Sequence, residues 1–247
     1  MFNWYKADLH IHTALSPCAD LLMGPINIIK QALKRGVDIL AITDHNSAEN
    51  VRAVQEAAVG RGITIIPGIE VTTAENAHII CLFTSLKDVL ALQKIVYDNL
   101  PTGKNDTEIF GEQFIVNYKN EILGLNSRLL ISSTTLKVKE LIRFVNERNG
   151  VAYPAHVDRR AYSLVRQLGF IPEDLKFPAV EISSNADKNE VKTQFPFIAG
   201  YNFIQSSDAH QPEDVGTAYT MFYLKSSDLN EIKKALLNEN GRMIKML

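Results

Sequence analysis

Histidines and a few carboxylates are the residues of this chain whose types and spacing could do chemistry. The sequence DLHIHT places His10 and His12 two residues apart. Alternate residues of a strand share a face, so both imidazoles would point the same way, with Asp8 behind them. Two imidazoles at this spacing can bind one metal ion, and Asp8 could orient His10 as a hydrogen-bond acceptor. An exposed HxH sequence in a loop is the alternative, which this motif alone does not exclude.

The sequence SSDAH repeats this spacing near the other end of the chain, with Asp208 and His210. A carboxylate and an imidazole together suit Zn²⁺, Mn²⁺ or Fe²⁺. Closing a barrel brings its first and last strands together. The two pairs would then meet, and together they are a stronger signal than either pair alone.

Three more candidates follow apolar runs. In ILAITDHNS adjacent strand residues face opposite ways, so we expect His45 to bind metal and Asp44 to support it. Glu70 ends the run IIPGIE and could bridge two ions, although a salt bridge at the rim is the alternative. His156 follows the run VAYPA.

Short β-rich runs alternate with helical stretches along most of the chain. The predicted strands are residues 8–12, 37–45, 63–71, 78–83, 151–156, 179–184 and 202–210, and the predicted helices are 25–34, 47–61, 86–99, 136–149, 159–168 and 226–239. Such alternation indicates an α/β fold with parallel strands, either doubly wound or a (βα) barrel, and about seven units favour the barrel. Residues 101–135 read as an insertion with a small hairpin turning near Lys119 and Asn120. Active sites of barrels lie at the strands' carboxyl ends, where five of the six histidines fall.

The motifs DLHIHT, ITDH, PGIE, PAH and SSDAH, in this order, resemble the polymerase and histidinol phosphatase (PHP) family of metal-dependent phosphoesterases. The resemblance implies a single domain over 1–247, a distorted (βα)7 barrel interrupted by the insertion, and two or three ions of Zn, Mn or Fe. On spacing alone His78 begins a strand and Asp20 is a loop carboxylate, so these two depend on the resemblance. The metal ligands that it implies are His10, His12, Asp20, His45, Glu70, His78, His156, Asp208 and His210.

The expected activity is hydrolysis of a small phosphomonoester, such as a nucleotide or a nucleoside bisphosphate. We expect a metal-bridging hydroxide to attack phosphorus, because bound cations lower the pKa of water and neutralise phosphoryl oxygens. The candidate catalytic residues are Glu70, Asp208 and His210, and the candidate substrate-binding residues are Arg159, Arg160 and Asn185. Cys18 is expected to be a packing residue. The alternatives are an exonuclease acting on short RNA or DNA, and a non-catalytic, metal-stabilised binding module.

The composition sets broad limits on partners. Lys and Arg number 26 and Asp and Glu number 28, for a formal net charge of −2, which gives no basic surface for long nucleic acid. No apolar run approaches the roughly 20 residues that cross a bilayer. Two cysteines and an N-terminus without a signal-peptide pattern predict a cytoplasmic protein with no membrane partner. The sequence leaves the oligomeric state open.

Overall fold

A computed structural model describes residues 1–246 of the chain. These residues form eleven strands and eight α-helices. The predicted domain, 1–247, includes one further residue that lies outside the described residues. The strands are β1 (Asn3–Ile11), β2 (Ile39–Ile42), β3 (Thr64–Thr72), β4 (His78–Leu82), β5 (Phe114–Val116), β6 (Ile122–Leu125), β7 (Val151–Pro154), β8 (Ala179–Ile182), β9 (Asn202–Gln205), β10 (Thr220–Leu224) and β11 (Met243–Met246). The helices are α1 (Pro25–Arg35), α2 (Val51–Ala58), α3 (Leu86–Asp98), α4 (Thr107–Phe110), α5 (Val138–Glu147), α6 (Leu164–Leu168), α7 (Lys188–Gln194) and α8 (Leu229–Leu236).

Seven strands form one mixed sheet in the order β11-β10-β1-β2-β3-β4-β7. Strands β1, β2 and β3 are parallel, as expected for strand–helix units. Strand β4 is antiparallel to β3 and β7, and β10 is antiparallel to β1 and β11. Only the short turn at residues 73–77 joins β3 to β4, so the regular alternation of strand and helix fails there.

The parallel pair β8–β9 lies between the ends of β7 and β1. The Val157 N–H, just after β7, donates to the Glu181 carbonyl at 2.8 Å, and the His12 N–H, just after β1, donates to the Ala209 carbonyl at 3.0 Å. The Tyr153 hydroxyl on β7 donates to the Leu9 carbonyl on β1 at 3.2 Å. These contacts curl the sheet, and the prediction of an α/β fold is confirmed. The count of seven βα units stays a prediction.

Two apolar clusters cover the faces of the sheet. Leu40 and Ile42 of β2 belong to the cluster packed under α1, α2, α3 and α5. Ile39 and Ala41, which point the other way, belong to the cluster that includes α8. Helix α1 shows why these elements form: Pro25 fits its first turn, and Gly36, at φ 63°, ends it in a left-handed conformation.

The segment 101–135 contains the predicted hairpin, formed by β5 and β6 around a turn at residues 117–121. Four elements were not predicted, namely α4, α7, β10 and β11. The helix predicted at 159–168 begins only at Leu164, so Arg159 and Arg160 lie in the preceding loop. Among residues 1–246, no helix is both long enough and apolar enough to cross a membrane.

Candidate metal centre

The carboxylate of Glu70 lies at the centre of a cluster of buried histidines. Glu70 belongs to β3 and is 1% exposed. The distances from its Oε1 are 2.8 Å to His78 Nδ1, 3.4 Å to His10 Nε2 and 3.5 Å to His156 Nε2. The distances from its Oε2 are 2.9 Å to His45 Nδ1 and 3.4 Å to His12 Nε2. One acidic group therefore faces five imidazoles that come from four separate parts of the chain.

Asp208 closes the cluster from the loop after β9. Its Oδ1 lies 3.2 Å from His10 Nε2 and 3.1 Å from His12 Nε2. The two imidazole nitrogens are themselves only 3.1 Å apart. The His210 Nδ1–H donates to the Asp208 carbonyl at 2.7 Å, which leaves Nε2 of His210 with its lone pair toward the cavity. The first and last motifs therefore meet, because the curled sheet brings β1 beside β9.

Glu181 orients His10, a role that the sequence analysis gave to Asp8. The His10 Nδ1–H donates to Glu181 Oε1 at 2.9 Å, and Glu181 is 1% exposed. Asp8 instead accepts hydrogen bonds from the Ser207 N–H, the Ser207 hydroxyl and the Gly216 N–H. Asp8 therefore anchors the loop that carries Asp208. A charged residue inside the apolar run AVEI was the one sequence signal for Glu181, since a buried carboxylate needs a partner.

Asp44 supports the site through Ser16. The Ser16 hydroxyl donates to Asp44 Oδ1 at 2.8 Å and accepts from the His12 Nδ1–H at 2.9 Å and from the His45 N–H at 3.1 Å. Asp44 also accepts from the N–H and the hydroxyl of Thr13. Asp44 thus fixes the orientation of His12 through Ser16, so that His12 Nε2 faces Glu70 and Asp208. The predicted role of Asp44 as a helper of the ligand His45 stays a prediction.

Within residues 1–246, several buried atoms of the cluster form no well-aligned hydrogen bond: His45 Nδ1, His78 Nδ1, His156 Nδ1 and both carboxylate oxygens of Glu70. Two of these nitrogens, those of His45 and His78, nonetheless lie within 2.9 Å of the Glu70 carboxylate. Buried polar atoms are normally satisfied, so such a cluster of unpartnered atoms requires a ligand. Imidazole nitrogen and carboxylate oxygen suit first-row divalent ions. Three groups place their ligand atoms within 4.8 Å of one another: His12, His45 and His210; His10, His12 and Asp208; and His45, Glu70 and His78. These residues fit a metal cluster.

Comparison with protein families agrees with the motif order. The model of the PHP domain matches residues 8–163, which is more than half of the chain. This chain belongs to the PHP domain family. A second family model, described as PHP-associated, matches residues 192–240.

Curated relatives match this PHP domain over short stretches. A 5'-3' exoribonuclease of Haemophilus influenzae is 32% identical over 80 residues, which are 31% of this chain and 28% of that protein. A 3',5'-nucleoside bisphosphate phosphatase of Chromobacterium violaceum is 34% identical over 71 residues, which are 29% of this chain and 24% of that protein. The matched stretches span half or less of the curated relatives' lengths.

A solved structure shares the fold over nearly the whole length of this chain. The lesion-specific endonuclease PfuEndoQ from Pyrococcus furiosus superposes with a TM-score of 0.70 at 19% identity. The match covers 98% of this chain and 58% of the endonuclease. At this identity the similarity is one of fold.

The charges of the cluster strongly shift its pKa values. Burial raises the pKa of Glu70, but His78, His10 and His45 outweigh it and hold that pKa well below its usual range. Burial lowers the pKa of His10, but the carboxylates of Asp208, Glu181 and Glu70 raise it well above the usual value. Burial, together with His210 and His45, holds the pKa of His12 well below the usual value. Without cations, these shifts favour the charged form of His10 beside ionised Glu70 and the neutral form of His12.

The same effects act at the edge of the cluster. Burial lowers the pKa of His78 to about 4, although Glu70 opposes this shift. Burial also raises the pKa of Asp208, but His10 and His12 hold it well below its usual range. Burial raises the pKa of the Cys18 thiol, but hydrogen bonds with His210 and His45 outweigh this effect and lower that pKa to about 6.

A cavity of about 250 Å³ opens onto the cluster. Arg159 lies at its mouth, where its Nη1 is 2.7 Å from Asp208 Oδ2 and its side chain is 42% exposed. The cavity is lined by Cys18, His45, Glu70, His78, Ile131, His156, Arg159, Ala161, Tyr162, Asp208 and His210. Ile131 comes from the insertion, which therefore contributes one wall.

Three expected site residues lie elsewhere. The Asp20 side chain is exposed and accepts a hydrogen bond from the Leu22 N–H at 2.7 Å, away from the histidines. Arg160 and Asn185 are exposed and do not line the cavity. Cys18, expected to pack in the core, instead places its Sγ 3.1 Å from His210 Nε2.

Two residues of the centre adopt left-handed backbone conformations that non-glycine residues seldom use. His156 has φ 30° and Asp208 has φ 51°, and each follows the end of a strand. This backbone lets the chain leave the strand while the side chain still points into the cluster.

Proposed function

We propose that this PHP domain is a metal-dependent phosphoesterase that hydrolyses small phosphomonoesters, such as a nucleotide or a nucleoside bisphosphate. The observation that carries the proposal is the buried carboxylate of Glu70, whose two oxygens face five imidazoles but accept no well-aligned hydrogen bond from them. A merely structural cluster would satisfy those oxygens with donors.

Two or three cations, of Zn²⁺, Mn²⁺ or Fe²⁺, would be held by the three groups of ligand atoms described above. When bound, such ions supply Lewis-acid chemistry, which activates water and neutralises charge on phosphoryl oxygens. The His10 Nδ1–H is held by Glu181 and the His12 Nδ1–H by Ser16, so both Nε2 lone pairs are directed to the centre. The protein thus fixes the tautomers that binding requires.

Arg159 is the residue that we assign to the phosphate group of the substrate. A guanidinium can bind two phosphate oxygens at once, and Arg159 lines the cavity next to Asp208. Asp208 holds Nη1 and leaves the other guanidinium N–H groups free to donate. The substrate assignment of Arg160 and Asn185 has no such support, since neither lines the cavity.

The size of the cavity favours a small substrate over a strand of nucleic acid. Its volume is about 250 Å³, and Ile131 of the insertion covers one side. Arg128 and Lys137, two basic residues in and just after the insertion that a bound strand could contact, are exposed but do not line the cavity. The Arg128 guanidinium instead lies over the Tyr97 ring, 4.1 Å from its centroid. The matched bisphosphate phosphatase of C. violaceum supports the same substrate class.

Removal of nucleotides from short RNA is the second candidate. It is favoured by the match to the exoribonuclease of H. influenzae over 80 residues. The metal chemistry would be the same, so only the substrate separates the two candidates.

The test is a substrate panel given to the full chain loaded with Mn²⁺ or Zn²⁺. We expect turnover of p-nitrophenyl phosphate and of a nucleoside 3',5'-bisphosphate, and little release of nucleotides from short oligonucleotides. His45→Ala and Asp208→Ala should each abolish turnover, while Glu190→Ala, an exposed control, should not. If both cluster variants keep near-normal kcat, the proposed site is wrong. Preferred turnover of oligonucleotides would establish the second candidate instead.

A further inference from the structure

The loop between β1 and α1 holds a thiol at the metal centre. Cys18 Sγ lies 3.1 Å from His210 Nε2, and Cys18 lines the same cavity as His45. His45 is 5% exposed. The thiol therefore shares the cavity with a buried imidazole whose Nδ1, 2.9 Å from Glu70 Oε2, forms no well-aligned hydrogen bond.

The backbone on both sides of Cys18 is fixed to the centre. On one side, the Ser16 hydroxyl is bound to Asp44 and to the His45 N–H. On the other side, the Asp20 N–H donates to the His210 carbonyl at 2.7 Å. The position of Sγ is thus set by the same residues that position the histidines.

The Asp20 carboxylate points away from this position. Its Oδ1 accepts from the Leu22 N–H, and the side chain is exposed beside Thr107 and Glu112 in a separate surface depression. Moving it to the histidines would require breaking this turn. The loop therefore offers sulfur to the centre and turns its carboxylate outward.

We propose that Cys18 binds one of the divalent cations as a thiolate, together with His45 and His210, in place of a carboxylate ligand from this loop. The proposal rests on the proposed metal centre. His12, His45 and His210 already place nitrogen atoms within 4.8 Å of one another, so Cys18 would complete a set of three nitrogens and one sulfur. In a tetrahedral site with Zn–N of about 2.0–2.1 Å and Zn–S of about 2.3 Å, nitrogen and sulfur lie about 3.6 Å apart. The distance between Cys18 Sγ and His210 Nε2 is 3.1 Å, so these two atoms would need to move apart by only about half an ångström.

A thiolate ligand changes which ions the centre prefers. Soft sulfur favours Zn²⁺ and Co²⁺ over Mn²⁺ and Mg²⁺, which prefer oxygen. The thiol releases its proton to the buffer when the cation binds, and no oxidation or reduction takes place. We therefore expect one position of the cluster to select a zinc-like ion.

Cobalt substitution tests this proposal without relying on activity. The full chain loaded with Co²⁺ should show a near-ultraviolet sulfur-to-cobalt charge-transfer band in addition to the visible bands of bound cobalt. Cys18→Ser should lose the charge-transfer band and keep visible bands, while Cys81→Ala, at the buried second cysteine, should keep both. Asp20→Asn should also keep the charge-transfer band.

A competition titration gives the second measurement. Cys18→Ser should weaken the binding of one Zn²⁺ by more than about tenfold, the smaller end of the loss seen when a ligand's hydrogen-bond partner is removed. Binding of Mn²⁺ should change less. Visible cobalt bands without a charge-transfer band in the wild type would overturn the assignment of Cys18 and leave the metal centre standing. Absence of cobalt binding altogether would overturn both.

Discussion

Replacing Glu181 by glutamine should weaken cation binding while leaving the metal-free fold nearly as stable. Glu181 Oε1 accepts from the His10 Nδ1–H at 2.9 Å, so the carboxylate keeps the proton on Nδ1 and the lone pair on Nε2. A glutamine amide is neutral, and its NH₂ group can donate to Nδ1 instead. The imidazole would then carry its proton on Nε2, which faces Glu70 and Asp208 and could not bind metal.

The expected magnitude follows from the loss of charge at one hydrogen bond. Hydrogen bonds to charged groups contribute about 1.5–3 kcal/mol, and neutral ones about 0.5–1.5 kcal/mol. The midpoints of these ranges differ by about 1.2 kcal/mol, which corresponds to roughly an eightfold rise in the Kd of the metal. Glu181→Ala removes the bond entirely and should raise the Kd by up to about 100-fold. Without metal the net effect is small, because losing the charged hydrogen bond from His10 is offset by relief of the desolvation cost of the buried, unpartnered Glu181 Oε2.

Three measurements separate these effects. Competition with a chromogenic chelator gives the Kd of Zn²⁺, and denaturant unfolding of chelator-treated protein gives the stability of the metal-free fold. NMR titration of His10 should show a lower pKa in Glu181→Gln than in wild type, because Glu181 is one of the carboxylates that raise it. Glu190→Gln, at an exposed position, is the control. An unchanged Kd in Glu181→Gln would refute the reasoning, and a large loss of metal-free stability with normal affinity would make Glu181 a structural residue.

Three further changes test other contacts. Arg159→Ala should raise the KM for phosphomonoesters by about 10–100-fold in steady-state kinetics, because a charged hydrogen bond to the substrate is lost. The KM of Arg159→Lys should lie between those of the wild type and Arg159→Ala. An unchanged KM would assign Arg159 to the surface. Glu231→Gln should lower the free energy of unfolding by about 1–2 kcal/mol at pH 7, since Glu231 binds Arg242 Nε and Nη2, and exposed Glu56→Gln should not. Hydrogen bonding to Arg242 lowers the pKa of Glu231 from 4.5 to about 2. The stability that Glu231 contributes is therefore present above pH 4.5 and is lost as the pH falls toward 2. Urea unfolding at several pH values would detect this loss. Tyr153→Phe should lower stability by about 1 kcal/mol through the lost hydrogen bond to β1, and an unchanged midpoint would show that bond to be weak.

The sequence predicted those parts of the site that depend on local spacing. Alternation along β1 put His10 and His12 on one face, and the two-residue spacing in SSDAH placed Asp208 and His210 together. The hairpin of the insertion was also local, since its turn lies at residues 117–121 between two short apolar runs. Location in the cytoplasm and the single-domain organisation stay predictions.

What the sequence did not predict depends on contacts between distant residues. Glu181 is 171 residues from His10, so the residues around Glu181 in the sequence do not indicate that it binds His10. Asp8 shares the face of His10, yet its carboxylate is taken by N–H groups of the loop at 207 and 216. Strand β10 pairs with β1 across more than 200 residues, and its register depends on that pairing. Asp20 fits the motif by composition, and only the turn at Leu22 shows that it faces outward.

The left-handed backbone at His156 and Asp208 has a consequence for how such a domain evolves. Each of these conformations costs on the order of 1–3 kcal/mol for a residue with a side chain, and glycine adopts it without strain. A mutation to glycine at either position would therefore relax the backbone and discard a side chain that the chemistry needs. Without selection for activity, mutation to glycine at these positions would give a more stable but inactive protein. Selection for turnover is therefore what retains these two side chains.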